Sequence, residues 1–247
     1  MNGVLRAWYA ARWARRVRRG PVPAHVAMIM DGNRRWARGA GYANPSVGHR
    51  HGAEHLETVL GWCAELGIRH VTVYVASADN LRKRDEAEVA FLMRVVEEVV
   101  VGRVLPRSPR WRLAVAGRLD LVPDSTAHAL KAALGGDGDS VLTVAIGYDG
   151  REEIVDAVRS LLDSAPTSDP AVLARSLTAD DIARHLPGAG RPDPELVVRT
   201  SGELRMSGFL LWQAAHAELH FCDVHWPGFR KVDFLRALRA FQVRRAS

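Results

Sequence analysis

Short apolar runs recur along the chain at residues 25–30, 70–76, 111–117, 140–147, 195–199 and 219–222. Their length and their content of Val, Ile and Leu predict strands buried on both faces. Between them, apolar positions recur at helical spacing and predict helices near 47–66, 85–101, 123–134, 150–163, 178–186, 207–217 and 231–243. Ser46 suits an N-cap, Gly67 and Gly102 suit helix stops, and Thr178 precedes Asp180 and Asp181 as a helix start. Residues 164–177 and 187–194 are rich in Pro, Ser and Gly and predict loops. Strands alternating with helices predict an α/β fold, a single domain built on a central, mostly parallel six-stranded sheet flanked by helices. In such a sheet ligands gather at the carboxyl ends of the strands. Residues 4–19 place Leu5, Trp8, Tyr9 and Trp13 among arginines and end at Gly20-Pro21. That pattern sets off residues 1–20 as a basic N-terminal arm from a domain spanning 21–247. As an amphipathic helix the arm suits peripheral contact with an anionic membrane surface. A solvated or docked arm is the alternative.

Composition narrows the function. The 247 residues allow one large domain or two small ones, and no linker or internal repeat divides them. A net charge of +6 with very little lysine gives an arginine-dominated surface that favours anionic partners. Charge alone would permit a nucleic-acid-binding module, but no aromatic platform or recognised motif supports one, so no nucleic acid is expected. Cys63 and Cys222 sit in apolar segments and read as reduced core residues. No apolar run reaches membrane-spanning length, and the N-terminus lacks the apolar stretch of a signal peptide, which makes the cytoplasm the expected location.

The chemistry concentrates at His25-Val26-Ala27-Met28-Ile29-Met30-Asp31-Gly32-Asn33-Arg34-Arg35-Trp36-Ala37-Arg38. A strand ends in an acidic residue, a glycine turns the chain, and a helix opens with arginines. Backbone N–H groups at a helix start and bidentate guanidinium contacts both attract phosphate. Asp31 would repel a bare phosphate but makes sense beside a divalent metal that bridges to it. The residues point to a metal-assisted diphosphate site. His51 and His55, four apart on a helix, could bind zinc, but no third ligand has an obvious place. Asp180-Asp181-Ile182-Ala183-Arg184 lacks the final acid of a DDxxD box, and no Walker loop is present.

This segment resembles the first signature of the cis-prenyltransferases, the family containing undecaprenyl diphosphate synthase. The run Arg199-Thr200-Ser201-Gly202-Glu203-Leu204-Arg205-Met206-Ser207, continuing to Trp212-Gln213, Glu218, Phe221 and Trp226-Pro227, resembles the second signature. Ser77-Ala78-Asp79-Asn80 resembles a third, and the three lie in family order. The resemblance implies the cis-prenyltransferase fold. It implies Z-selective condensation of isopentenyl diphosphate with an allylic diphosphate, with Mg²⁺ as cofactor and a homodimer as the assembly. Asp31 would be catalytic and bind the metal, and Glu218 would be the second metal position. Gly32, Asn33, Arg34, Arg35 and Trp36 would bind the allylic diphosphate, with His49 nearby. Arg199, Arg205, Met206 and Ser207 would hold isopentenyl diphosphate near a helix N-terminus, with Glu203 as a structural partner. Asn80 would be catalytic, with Ser77, Ala78 and Asp79 placing the alkene.

The chain also departs from the pattern. Asp79 replaces a glutamate, Leu81 a tryptophan, Lys83 stands nearest the usual arginine, and Pro45 occupies the place of another. Val75 stands where long-chain enzymes often carry alanine, and with Asp79-Asn80-Leu81 it resembles the subgroup making (2Z,6E)-farnesyl diphosphate. Long-chain polyprenyl diphosphate synthesis is the alternative. A non-catalytic partner subunit would be expected to lose Asp31 or the phosphate arginines, and both are kept. Phe209, Trp212 and Phe221 suggest the apolar surface of the dimer.

Overall fold

A computed structural model describes residues 12–245 apart from 14, 18 and 166–168. Each of the six apolar runs forms a strand: β1 (His25–Ile29), β2 (His70–Ser77), β3 (Trp111–Ala116), β4 (Ser140–Tyr148), β5 (Leu196–Arg199) and β6 (Glu218–Phe221). They pair in the order β3-β4-β2-β1-β5-β6, and every pairing is parallel. The sheet is thus wholly rather than mostly parallel. It buries both faces, which is why the strands read as continuous apolar runs.

Alternation along the strands divides the core. Val26, Met28, Val71, Val73 and Val198 face one layer of helices. Ala27, Ile29, Val197, Ala145 and Tyr148 face the other side. After β1 comes α1 (Asn33–Gly39), then α2 (Val47–Glu65); β2 leads into α3 (Ala78–Lys83) and α4 (Glu86–Val95). Asp85 caps α4, its carboxylate accepting the N–H groups of Ala87 and Glu88. The helix expected over 85–101 does not stay α-helical. It widens into π turns over Val96–Val104, a stretch crowded with β-branched side chains whose χ1 angles are restricted in a helix.

Beyond lie α5 (Asp124–Ala132), α6 (Gly150–Asp163), α7 (Pro170–Ser176), α8 (Ala179–His185) and α9 (Lys231–Arg245). Helix α7 falls in a segment expected to be a loop; its Asp169 cap followed by Pro170 is an ordinary helix start that composition obscured. The helix expected over 207–217 is a chain of turns instead. Ser207, Gly208 and Leu210 have positive φ, so the helix cannot continue through them. The apolar spacing there reflects Phe209 and Leu210 buried under the sheet.

Most of the N-terminal arm lies outside the described residues. Where it is described, Val17 is buried and its carbonyl accepts the Gln242 side-chain amide at 2.6 Å on α9. Among the described residues no helix is long and apolar enough to cross a membrane.

Candidate active site

β1, β2 and β5 are neighbours, so their carboxyl ends bring Asp31, Ser77 and Arg199 to one edge of the sheet. Gly32 turns the chain there with φ 94°, a left-handed conformation that favours glycine. A β-carbon at Gly32 would also meet His225 and Ser201 within 3.0 Å. The turn is pinned from outside. The carbonyl of Asp31 accepts the Thr200 hydroxyl at 2.7 Å and the Trp226 N–H at 3.0 Å.

The Asp31 carboxylate is held on both oxygens. Oδ1 accepts the Gly32 N–H at 2.6 Å, and Oδ2 accepts Nη2 of Arg199 at 3.0 Å. Nη2 of Arg35 stands 3.5 Å from Oδ1. Arg199 is buried and donates through Nη1 to Ser207 Oγ at 2.9 Å and to the Arg205 carbonyl. Among the described residues its Nε has no acceptor, a costly buried donor that an anionic oxygen would satisfy. Tyr74 stacks on Phe209 at 4.6 Å between ring centres and donates its hydroxyl to the Ser207 carbonyl at 3.3 Å. Burial pushes the Tyr74 phenol up to about 12, so it stays a donor at neutral pH.

Beside Asp31 opens a cavity of about 420 Å³. Its mouth carries Asp31, Arg34, Arg35, Arg38, His49 and Arg84. Its depth is apolar, lined by Val73, Val75, Leu92, Val96, Val100 and Val144. The strand β2 bulges at Val75 relative to β4, and Val75 lines the cavity wall. Burial, with the Arg84 guanidinium adding to it, lowers His49 to about 4 and keeps the ring neutral. Helices α1 and α2 meet closely because Gly48 and Gly52 face Asn33. A β-carbon would fall 2.0 Å from the Asn33 carbonyl oxygen at Gly48 and 2.3 Å from Asn33 Oδ1 at Gly52.

The expected residues separate into groups. Asp31, Gly32, Asn33, Arg34, Arg35, His49 and Val75 line the cavity. Arg199 and Ser207 join it through Asp31, with the Arg205 guanidinium beside Glu203, which also pairs with Arg35 at 3.5 Å. The anion nest expected at a helix N-terminus around Arg205 and Ser207 is built from turns. Ser77 caps α3 by accepting the Asn80 N–H at 2.9 Å.

Other expected residues point elsewhere. Trp36 stacks on Tyr42 and lies tilted against His51, outside the cavity lining. Asp79 is exposed and paired with Lys83 at 2.7 Å. Ala78 is buried, and Met206 packs on the second core layer. Glu218 is not brought to Asp31. It opens β6 at the amino end of the sheet and pairs with Arg244 at 3.0 Å. His51 and His55 are taken up by aromatic neighbours, His55 lying edge-on to Trp62 and Trp226. Both cysteines carry free thiols.

Arg84, Arg38 and Tyr74 line the cavity without having been expected to. Arg84, not Lys83, is the basic residue of its loop that reaches the cavity, a register difference of one that residue type alone could not reveal. Arg38 lies three and four residues beyond Arg35 and Arg34 on one helical face, a spacing that could have identified it.

Among the described residues, no group of three His, Cys, Asp or Glu side chains converges as a metal cage. Among these residues Asp31 is the one carboxylate lining the cavity. Mg²⁺ commonly takes one or two carboxylates and completes its shell with substrate phosphates and water, a demand that Asp31 among the arginines of the cavity mouth fits.

Known proteins place this arrangement. The chain is 55% identical to an isoprenyl transferase of Streptomyces fradiae over 96% of this chain and 95% of the relative. It is 48% identical to a (2Z,6E)-farnesyl diphosphate synthase of Thermobifida fusca, over 96% and 93%. It is 46% identical to a short-chain Z-isoprenyl diphosphate synthase of Mycobacterium leprae, over 90% and 86%. The crystal structure of lavandulyl diphosphate synthase from Lavandula x intermedia, in complex with dimethylallyl diphosphate, superposes with a TM-score of 0.81. That match has 27% identity and covers 90% of this chain and 95% of that one. The Prenyltransf family profile matches residues 29–247, and the chain belongs to this family, that of undecaprenyl diphosphate synthase.

Proposed function

We propose that this enzyme condenses isopentenyl diphosphate with an allylic diphosphate, geranyl diphosphate as the primer, to give a short Z-prenyl diphosphate such as (2Z,6E)-farnesyl diphosphate. One observation carries the reading: a single cavity has an arginine-rich mouth and a wholly apolar depth. That polarity suits a molecule with a diphosphate head and a hydrocarbon tail. Arg34, Arg35 and Arg38 take the head, and Val73, Val75 and Leu92 take the tail. Arg199, Arg205 and Ser207 hold the second diphosphate across Asp31.

In the reaction the allylic C–O bond breaks and its electron pair leaves with diphosphate. The terminal alkene carbon of isopentenyl diphosphate bonds to the allylic carbon, and the methylene next to the internal alkene carbon gives up a proton to the released diphosphate or water as the new double bond forms. The arginines stabilise charge as it develops on the leaving group, and stabilisation of this kind usually dominates catalysis at such a site. Asp31 would hold Mg²⁺, which would supply further charge neutralisation at the leaving group. Ser77 and Asn80, fixed together at the end of β2, orient the alkene side of the site.

The names of the Thermobifida and Mycobacterium relatives support a short product. So do Val75 and Val144 in the cavity wall. Incubation with geranyl diphosphate, labelled isopentenyl diphosphate and Mg²⁺, followed by sizing of the products, tests the reading. A C15 Z-product is expected. Polymers of ten or more units would overturn the short-chain assignment, and no transfer at all would overturn the reaction.

A further inference from the structure

Glu88 stands behind the cavity mouth. Its side chain is only 12% exposed, and it does not line the cavity itself. Three groups that do line it converge on this one carboxylate from three elements. Arg34 of α1 reaches Oε2 at 2.9 Å, Arg84 from the turn before α4 reaches Oε1 at 3.3 Å, and His49 of α2 lies 3.8 Å from Oε1. Two guanidinium groups this close would repel each other without an anion between them. Glu88 is also the first position of the α4 stripe that continues through Leu92, Val95 and Val96 into the apolar wall. One helix thereby carries the anchor of the head-group arginines and part of the tail-binding surface.

We propose that Glu88 is a positioning residue for the allylic diphosphate: it fixes Arg34 and Arg84 toward the cavity mouth and registers them against the hydrocarbon wall. The inference rests on the reading of the cavity as an allylic diphosphate site. Arg34 donates one N–H to Glu88, Arg84 is held at ion-pair distance, and both keep further donors for phosphate. The neutral His49 fills the third side without adding charge. Glu88 contacts no reacting atom, so its loss should act through the arginines alone.

The test compares wild type with Glu88→Gln and Glu88→Asp in steady-state kinetics for both substrates. Calorimetry with a non-reactive geranyl thiodiphosphate and thermal melts accompany the kinetics. Glu88→Gln keeps the shape and removes the charge. It should lower kcat/KM for geranyl diphosphate about ten- to hundred-fold, the size of one charge-assisted hydrogen bond. The KM for isopentenyl diphosphate should stay unchanged, and the analogue should bind more weakly by a comparable factor. Glu88→Asp retains the charge but withdraws it by one methylene. It should show a smaller loss on the same substrate, and it carries the test if the glutamine variant does not fold.

Equal losses for both substrates, or unchanged analogue affinity in a folded variant, would overturn the proposal. If the wild type transfers no prenyl group while analogue binding still depends on Glu88, the reaction assignment fails and the role of Glu88 stands.

Discussion

Asp31 occupies a contested position. Arg199 and the Gly32 N–H hold it in the structure, and a metal ion would draw on the same oxygens. Arg199 keeps Ser207 and the Arg205 carbonyl when Asp31 is removed, so Asp31→Ala should fold. It should lose about 10²–10³ in kcat, the scale of one transition-state electrostatic contact. Turnover near wild type at saturating Mg²⁺, with the melt unchanged, would remove Asp31 from the mechanism. Arg205 differs. Its guanidinium is exposed and, among the described residues, tied only to Glu203, so Arg205→Ala should raise KM for isopentenyl diphosphate about tenfold and leave folding alone. A change confined to the allylic substrate would show that the two diphosphate pockets have been divided wrongly. Residues such as Asp31 and Arg35 were legible in the sequence because strand end, turn and helix start follow one another without a gap. Glu88 and Arg84 were not, because their roles depend on how α4 leans against α1 and α2, which no local pattern encodes.

At the level of elements, the six strands were legible because burial on both faces leaves an unbroken apolar run for each. The stretch 207–217 was not: its apolar spacing serves a loop with three positive-φ residues that packs Phe209 into the second core layer. In the proposed reading, the bulged end of β2 and the facing α4 limit how far a hydrocarbon tail can extend. Val75 lines the wall from the strand and Leu92 from the helix. Val75→Ala removes two methyl groups from that wall. Hydrocarbon fills such space readily, with each buried methylene contributing about 0.8 kcal/mol, so the product distribution should shift toward longer chains. Adding Leu92→Ala should lengthen it further. A single C15 product from both variants would show that chain length is set elsewhere.

For the whole molecule, the open question is what covers the β6 edge. A parallel sheet with an exposed edge strand invites pairing or cover. The aromatic surface expected there is smaller than the sequence suggested: Phe209 is fully buried, and Trp212 and Phe221 are half-buried. Leucines are exposed instead, with Leu219 at 39%, Leu211 at 40% and Leu204 at 78%. Leu204 sits between Glu203 and Arg205, beside the proposed diphosphate site. Leu219 lies on β6 beside Glu218, the carboxylate left far from Asp31 within the chain. A second copy of the chain is the expected cover, because self-association buries these leucines in one symmetric step. Sedimentation equilibrium should therefore give the mass of a dimer, and Leu219→Arg should shift it toward monomer by placing a charge in the contact. A wild-type protein that sediments as a monomer under conditions where it still turns over would reject the dimer and leave the exposed leucines without a partner of this kind.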